Sequence, residues 1–539
     1  MLLKNGTIYD GSGNAPFRGS VWIKKDRIFK IFHEDEPLNV PKNETIKDCS
    51  GLVIGPGFID AHSHNDFFAA REDRLPYFLP FVRQGVTTMV AGNCGFSAAG
   101  YQPKTPYNDQ IGGGLFSNNG KDFSDFGQWA KLVDGKMPVN LVSLVGHGTV
   151  RIGLNGKSPN PLTPEQRKAM EFSLEKSLSQ GAAGISLGLM YEPGQFVPSE
   201  ELETVARICK KHGKILTVHA RAYSKVSTSY NPPVGGRAHN LRAMDEVLNL
   251  VGKIGVKTEY SHLIFVGKQS WGTVSESLRL LEETKKQGID IGFDLYPMEF
   301  GASVITVVLP TWYMELPKEK RRGLFVQSRL ALEIFLAIQV LGFGFSDILI
   351  TNTFGRCPEI EGKRISEIAK ERKWSSLKTY LDIVDKTDAR CNVLMYQYQN
   401  PEIIETLRTH PQSLYMTDAW IEEGAKIQNF ACFSAFPKFL ILARDHGTPL
   451  EKAIAKMSGD TARRFGIAER GILREGNYAD MTVFDLAGLR VEENAQTPPQ
   501  GICLVINNGI VVVEDGKPNL SGLSTCGRFL SVPSSISQN

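Results

Sequence analysis

No CxxC pair occurs in this chain, and its eight cysteines lie at scattered positions. That excludes a disulfide framework and a paired-cysteine zinc finger, and makes a reducing cytoplasm the simplest compartment. A surplus of charge is missing too. Sixty-one lysines and arginines face 58 aspartates and glutamates, giving a formal net charge of +3, so no electrostatic case exists for a nucleic-acid partner. The densest basic cluster, Lys318-Glu-Lys-Arg-Arg322, is short and reads as a solvated helix face. The opening Met1-Leu-Leu-Lys-Asn-Gly-Thr-Ile lacks the apolar core and cleavage site of a signal peptide. No long apolar run goes uninterrupted either. Leu330 to Ile350 comes nearest, but Glu333, Gln339 and Asp347 break it, so a buried or partner-facing helix is expected there and not a membrane span.

What is present is most concentrated in Gly55-Pro-Gly-Phe-Ile-Asp-Ala-His-Ser-His-Asn-Asp66. A β-forming run ends in two histidines one residue apart, His62 and His64. Alternate side chains of an extended backbone point the same way, so both imidazoles can reach one zinc-type cation.

At 539 residues and 42% hydrophobic composition, the chain suits one large soluble domain plus a minor one. Short strands and turns fill the first fifty residues, and the same texture returns at Asp480–Phe484, Ile502–Asn507 and Ile510–Glu514. The expectation is a small β-sandwich from residues 1–54 and 470–525, with 526–539 as a tail. Between these ends, eight candidate strands alternate with helices such as Pro164–Gln180 and Ser199–His212. The strands are Leu52–Asp60, Val86–Ala91, Val139–Val145, Ala183–Leu187, Ile215–Val218, Val256–Tyr260, Ile289–Asp294 and Ser413–Met416. Eight such units predict an α/β protein whose residues 55–469 form a (β/α)8 TIM-like barrel, with chemistry at the C-terminal strand ends.

Those ends carry His62 and His64, then Cys94, His147, His219, His262, Asp294 with Tyr296, and Asp418. Five of the ten histidines therefore fall on one expected face, and His33, His212, His239, His410 and His446 do not. Cys94, between glycines, reads as a thiolate ligand; His219 and His262 read as imidazole ligands. Asp418 is placed to take a proton from water. His147 is either a donor behind the ligands or a loop histidine.

Together the motifs resemble the amidohydrolase superfamily, and within it the N-acyl-D-amino-acid deacylase (D-aminoacylase) family. The resemblance rests on Leu3-Lys-Asn-Gly-Thr-Ile-Tyr-Asp-Gly, the Gly-Phe-Ile-Asp-Ala-His-Ser-His box, Gly92-Asn-Cys-Gly-Phe-Ser and Gly146-His-Gly-Thr-Val-Arg. It extends through Gly184-Ile-Ser-Leu-Gly-Leu-Met-Tyr191-Glu-Pro-Gly194, His219-Ala-Arg221, Ser261-His262, Asp294-Leu-Tyr-Pro and Gly471-Ile-Leu-Arg-Glu-Gly-Asn-Tyr-Ala-Asp480. The resemblance implies a zinc-dependent hydrolase of a linear amide in a small N-acyl substrate. It implies a tightly held metal on Cys94, His219 and His262, a weaker neighbour on His62 and His64, and Asp418 as general base and acid. Tyr296, Ser303, Arg221, His147 and Tyr191 are the implied substrate-side residues. The fourth strand offers no lysine, so the carboxylated-lysine arrangement of hydantoinases is missing.

Two departures stand out. Family members grip the substrate carboxylate with a lysine after the strand-six histidine and an arginine after the catalytic aspartate. Here those places read Ile264 and Asn429-Phe430-Ala431. Each charge-assisted hydrogen bond contributes about 1.5–3 kcal/mol, so carboxylate recognition is expected to be altered, with Arg221, Arg237, Arg242 and Lys268 as other available cations. The second departure is a greasy lid insertion, about residues 299–352, read as packing on the barrel, on a second subunit of a homo-oligomer, or on a lipophilic acyl chain. Alternative readings are a cyclic amide or imide hydrolase of the hydantoinase type and a non-catalytic scaffold on the same fold.

Overall fold

The computed structural model describes residues 1–227, 229–230, 236–314 and 316–534. Residues 535–539 of the expected tail and Glu315 of the expected lid lie outside them.

The apolar run Leu52–Asp60 is shared between two sheets. Its first part, Val53–Pro56, pairs with Leu2–Ile8 on one side and with Met481–Phe484 on the other. It thereby joins the two termini, from which one small sandwich was expected, in a single hydrogen-bonded nine-stranded sheet. One buried cluster, including Leu3, Ile23, Ile54, Met481 and Ile506, holds its faces together. Gly57 makes the handover, because a Cβ there would stand 2.2 Å from Thr87 Oγ1. The second part, Phe58–Asp60, begins a parallel set.

That set continues in pairing order through Val86–Ala91, Asn140–Ser143 with Val145–Gly146, Gly184–Gly188, Ile215–His219, Thr258–Tyr260, Ile291–Leu295 and Ser413–Tyr415. Every pair in the set is parallel. Nearly every residue in these strands is buried, as expected of sheets covered by helices. Backbone bonds also link the eighth strand to the first: Ala61 N donates to Tyr415 O and Asp418 N donates to His62 O, the latter at 3.1 Å. The helices fall where the periodicity predicts them, as in Pro164–Ser179, opened by a Thr163–Gln166 capping box, and Ser199–Lys211.

The insertion after strand seven extends further than the sequence indicates. Gly301–Val304 and Ile348–Asn352 both pair antiparallel with Asn392–Met395, so one small sheet spans most of the chain between strands seven and eight. It has its own apolar core. The greasy segment is a helix, Leu324–Leu341, ended by Gly342 in the left-handed conformation. Of the buried or partner-facing helix expected there, one stripe is buried and the rest of the surface is exposed. Leu330 and Ile334 are buried in the insertion's core, with Val326, Ile338 and Leu341 half-buried against it, while Phe325 is 91% exposed and Leu332 and Phe335 also face outward. By length and composition alone this helix could cross a membrane. Hydropathy missed its setting because apolar residues surround the helix while only one i, i+4 stripe has a neighbour to meet. The tail also differs from a loose end: Leu530 N and Val532 N donate to Leu141 O and Gly181 O, strapping it across strands three and four.

Candidate metal centre

Each expected donor sits just beyond, or at, a parallel strand's C-terminal end. His62 and His64 follow strand one, Cys94 follows strand two, His219 ends strand five, His262 follows strand six and Asp418 follows strand eight. Three of them hold left-handed backbones, with φ of +53° at Cys94, +33° at His262 and +48° at Asp418. Side-chain-bearing residues rarely adopt that region, and such strain concentrates at functional sites. Here the sharp turns direct side chains back over the strand ends.

The donors converge on sulfur. Cys94 Sγ lies 3.3 Å from His62 Nε2, 3.4 Å from His262 Nε2 and 3.3 Å from His219 Nδ1. Two ligand groups result, His62–His64–Cys94 and Cys94–His219–His262, each with its ligand atoms within 4.8 Å of one another. Cys94 belongs to both, not to the second alone. A tetrahedral ion with bonds of about 2.3 Å to sulfur and 2.0–2.1 Å to nitrogen separates those atoms by roughly 3.5 Å. The spacing therefore fits a zinc-type ion.

The protonation chemistry fits as well. Burial pushes His62 down to about 3 and His262 to about 4, and carries His219 well below its ordinary value, so all three are neutral ligands at physiological pH. Burial, with Asp418 and Asp294 adding to it, pushes the Cys94 thiol up. A bound cation reverses that, since a coordinating thiol loses its proton. Burial alone would raise Asp418, but His262, His64 and His62 bring it down to about 2. Its Oδ1 stands 3.5 Å from both His62 Nε2 and His64 Nε2, and its side chain is 22% exposed.

Packing explains why the fourth strand has no long side chain to offer. A Cβ on Gly188 would lie 2.0 Å from Cys94 O, and Ser186 Oγ accepts from Gly95 N while donating to Gly92 O. The cysteine turn rests directly on that strand. Other positioning groups were not singled out as site residues in the sequence. Asp294 Oδ2 lies 3.3 Å from His62 Nδ1 and its other oxygen accepts from His262 N. Asp60 accepts from Thr417 N at 2.9 Å, Thr417 Oγ1 at 2.6 Å and His62 N at 3.3 Å. Phe116 and Trp420 wall His64 at ring-centroid distances of 5.0 and 5.5 Å.

The expected substrate-side residues divide. The Tyr191 ring lies 4.5 Å from His219, and Tyr296 meets Tyr398 over Gly301, at the start of the strand that carries Ser303. Arg221 is turned away, bound through two nitrogens to Glu246 and to Gln195 O. His147 sits in a separate buried group, with Nε2 2.9 Å from Glu201 Oε1, and Arg151 clamps the same carboxylate. Both side chains are claimed by partners distant in sequence.

No protein-family model matches the chain. It is, however, 29% identical to D-aminoacylase of Alcaligenes xylosoxydans xylosoxydans over 96% of this chain and 94% of that protein. A crystal structure of D-aminoacylase, described as defining a subset of amidohydrolases, superposes with a TM-score of 0.77 at 26% identity, covering 98% of this chain and 99% of that one. A D-aminoacylase structure described for its binuclear metal centre gives 0.76 at the same identity and coverage. The chain is an amidohydrolase similar along nearly its whole length to D-aminoacylase. As such it is a metal-dependent hydrolase of C–N bonds other than peptide bonds.

Proposed function

We propose that this amidohydrolase is a zinc-dependent deacylase that splits a linear amide of a small N-acyl amine, of the D-amino-acid type or close to it. The observation that carries the reading is a thiol shared by two imidazole groups, with a carboxylate 3.5 Å from the imidazoles of one of them. Cys94, His219 and His262 would hold one ion, and His62 and His64 with Cys94 a second. When bound, such an ion supplies Lewis acidity, polarising a carbonyl and making water reactive near neutral pH. Asp418 Oδ1 takes the proton of the attacking water and returns it to the departing nitrogen. Tyr191, against His219, offers a phenolic donor toward the acyl group, and Phe116 with Trp420 limits water around His64. The eight parallel strands in this reading form a closed barrel carrying the site on its C-terminal face. The eight unpaired cysteines suit a cytoplasmic home.

Substrate recognition is altered in this reading. Ile264 is buried where the family has a lysine, Arg221 is tied to Glu246, and Arg237 is bound to Asp245 and Glu276. Arg242 lies over the Tyr230 ring and Lys268 is exposed. The test is hydrolysis of an N-acyl-D and N-acyl-L amino-acid library, including carboxylate-blocked members, by zinc-loaded and chelator-treated enzyme. Zinc-dependent release of amine, weak on N-acetyl-D-methionine and N-acetyl-D-glutamate, is expected. Ordinary efficiency on those free acids would reject altered recognition, and no zinc-dependent turnover of any member would reject the deacylase.

A further inference from the structure

We infer that the outward face of the helix Leu324–Leu341, with the basic cluster before it, docks on an anionic lipid bilayer, the helix lying in the surface without crossing. Leu324, Phe325, Leu332, Phe335 and Leu336 are each between 49% and 91% exposed. At about 3.6 residues per turn all five fall on one side of the helix, where Ser328 and Gln339 are the exposed uncharged polar residues. Single exposed apolar side chains are ordinary on a soluble protein, but five on one helix face mark an interaction surface. The helix is no loose arm. Lys268 N donates to Gly342 O at 3.5 Å, and a Cβ on Gly267 would stand 2.0 Å from Leu341 O, so its end packs on the loop leaving strand six.

Charge names the occupant. Lys318-Glu-Lys-Arg-Arg322 sets four cations and one acid just ahead of Leu324, where the helix dipole favours anions and disfavours cations. Gly323 gives that end no side-chain cap, and the first turn holds no acid. Lys320 and Arg322 are exposed. An anionic headgroup answers both the cations and the uncapped helix end, and acyl chains beneath it receive the apolar side chains. Glu333, the helix's one acid, is taken up by Arg329 Nε at 2.8 Å and Trp312 Nε1 at 2.7 Å. Other coverings fit less well. A span would pull Leu330 and Ile334 out of the insertion's core and draw Arg329 and Glu333 into hydrocarbon. A stable dimer buries about 800 Å² per partner. One face of this 18-residue helix, about 27 Å long and about 10 Å wide, covers only roughly 300 Å².

Sedimentation with sucrose-loaded vesicles tests the docking face without any turnover measurement. Full-length wild type, Phe325→Ser/Leu332→Ser and Lys320→Ser/Arg322→Ser proteins are mixed with phosphatidylcholine vesicles, plain or with about one-third phosphatidylserine. Wild type is expected to partition at least about tenfold more strongly onto the phosphatidylserine vesicles, and less so as salt is raised. Phe325→Ser/Leu332→Ser should lose about tenfold or more of that binding. Lys320→Ser/Arg322→Ser should fall towards the wild-type level on plain phosphatidylcholine. All four side chains are exposed, so both variants should keep the wild-type circular dichroism and melting temperature. Wild type left in the supernatant with phosphatidylserine vesicles overturns the proposal, as does equal partition of all three proteins. A dimer seen by light scattering, dissociated by Phe325→Ser/Leu332→Ser and bound to neither vesicle, would also overturn it and assign the face to a second copy.

Discussion

Replacing Cys94 with serine is expected to remove metal from both ligand groups at once. The sulfur is the only atom common to them, so no other single donor is worth as much. A serine hydroxyl is a poor, neutral ligand, whereas a thiolate brings charge and softness matched to zinc. Changes merely behind a ligand cost 10–100-fold in affinity, so loss of the shared donor should exceed about 100-fold. Elemental analysis after dialysis against buffered zinc, compared with a His62→Ala variant, makes the distinction. His62→Ala should keep the Cys94–His219–His262 ion and lose the other. If Cys94→Ser retained a full complement of zinc, the shared-vertex account would be wrong.

Asp418→Asn is expected to lower kcat by about 10²–10⁴, the range of a positioned proton-transfer group, while zinc content stays at the wild-type level and KM changes little. The amide occupies the same volume but cannot accept the proton. The sign of the pH dependence follows from the electrostatics. With its pKa held near 2 by the surrounding histidines despite burial, Asp418 is ionised through the whole neutral range. A fall in wild-type activity on acidification should therefore track competition of protons for the Cys94 thiolate, whose pKa burial raises, and metal release, and not titration of Asp418. Metal content and rate measured on the same samples from pH 7 down to pH 4 should fall together. A loss of rate with metal fully retained would contradict that assignment.

His62, His64 and Cys94 were legible in the sequence because their signals are local. His62 and His64 share a face by strand alternation alone, and Cys94 announces itself between two glycines at a strand end. The strands of the parallel set were legible for the same reason, as short apolar runs whose burial requires no knowledge of distant partners. What failed to show depends on long-range pairing. Arg221 looked available until Glu246 claimed it, and His147 until Glu201 did. Tyr398 carries no motif; it meets Tyr296 over Gly301 beside the pairing of Asn392–Met395 with Gly301–Val304 across the insertion, a contact no local pattern encodes. Likewise the division of Leu52–Asp60 between two sheets follows from the close approach of Thr87 to Gly57. For the apolar helix Leu324–Leu341, composition predicted a buried or partner-facing element, and the structure buries one stripe and leaves Phe325 and Leu332 exposed.

Zinc X-ray absorption on the purified wild-type protein probes the arrangement most directly. Sulfur scattering at about 2.3 Å together with nitrogen from imidazoles at about 2.0–2.1 Å, the sulfur component vanishing in Cys94→Ser, is the predicted spectrum. A zinc edge showing only oxygen and nitrogen neighbours in the wild type would contradict the thiolate-centred site.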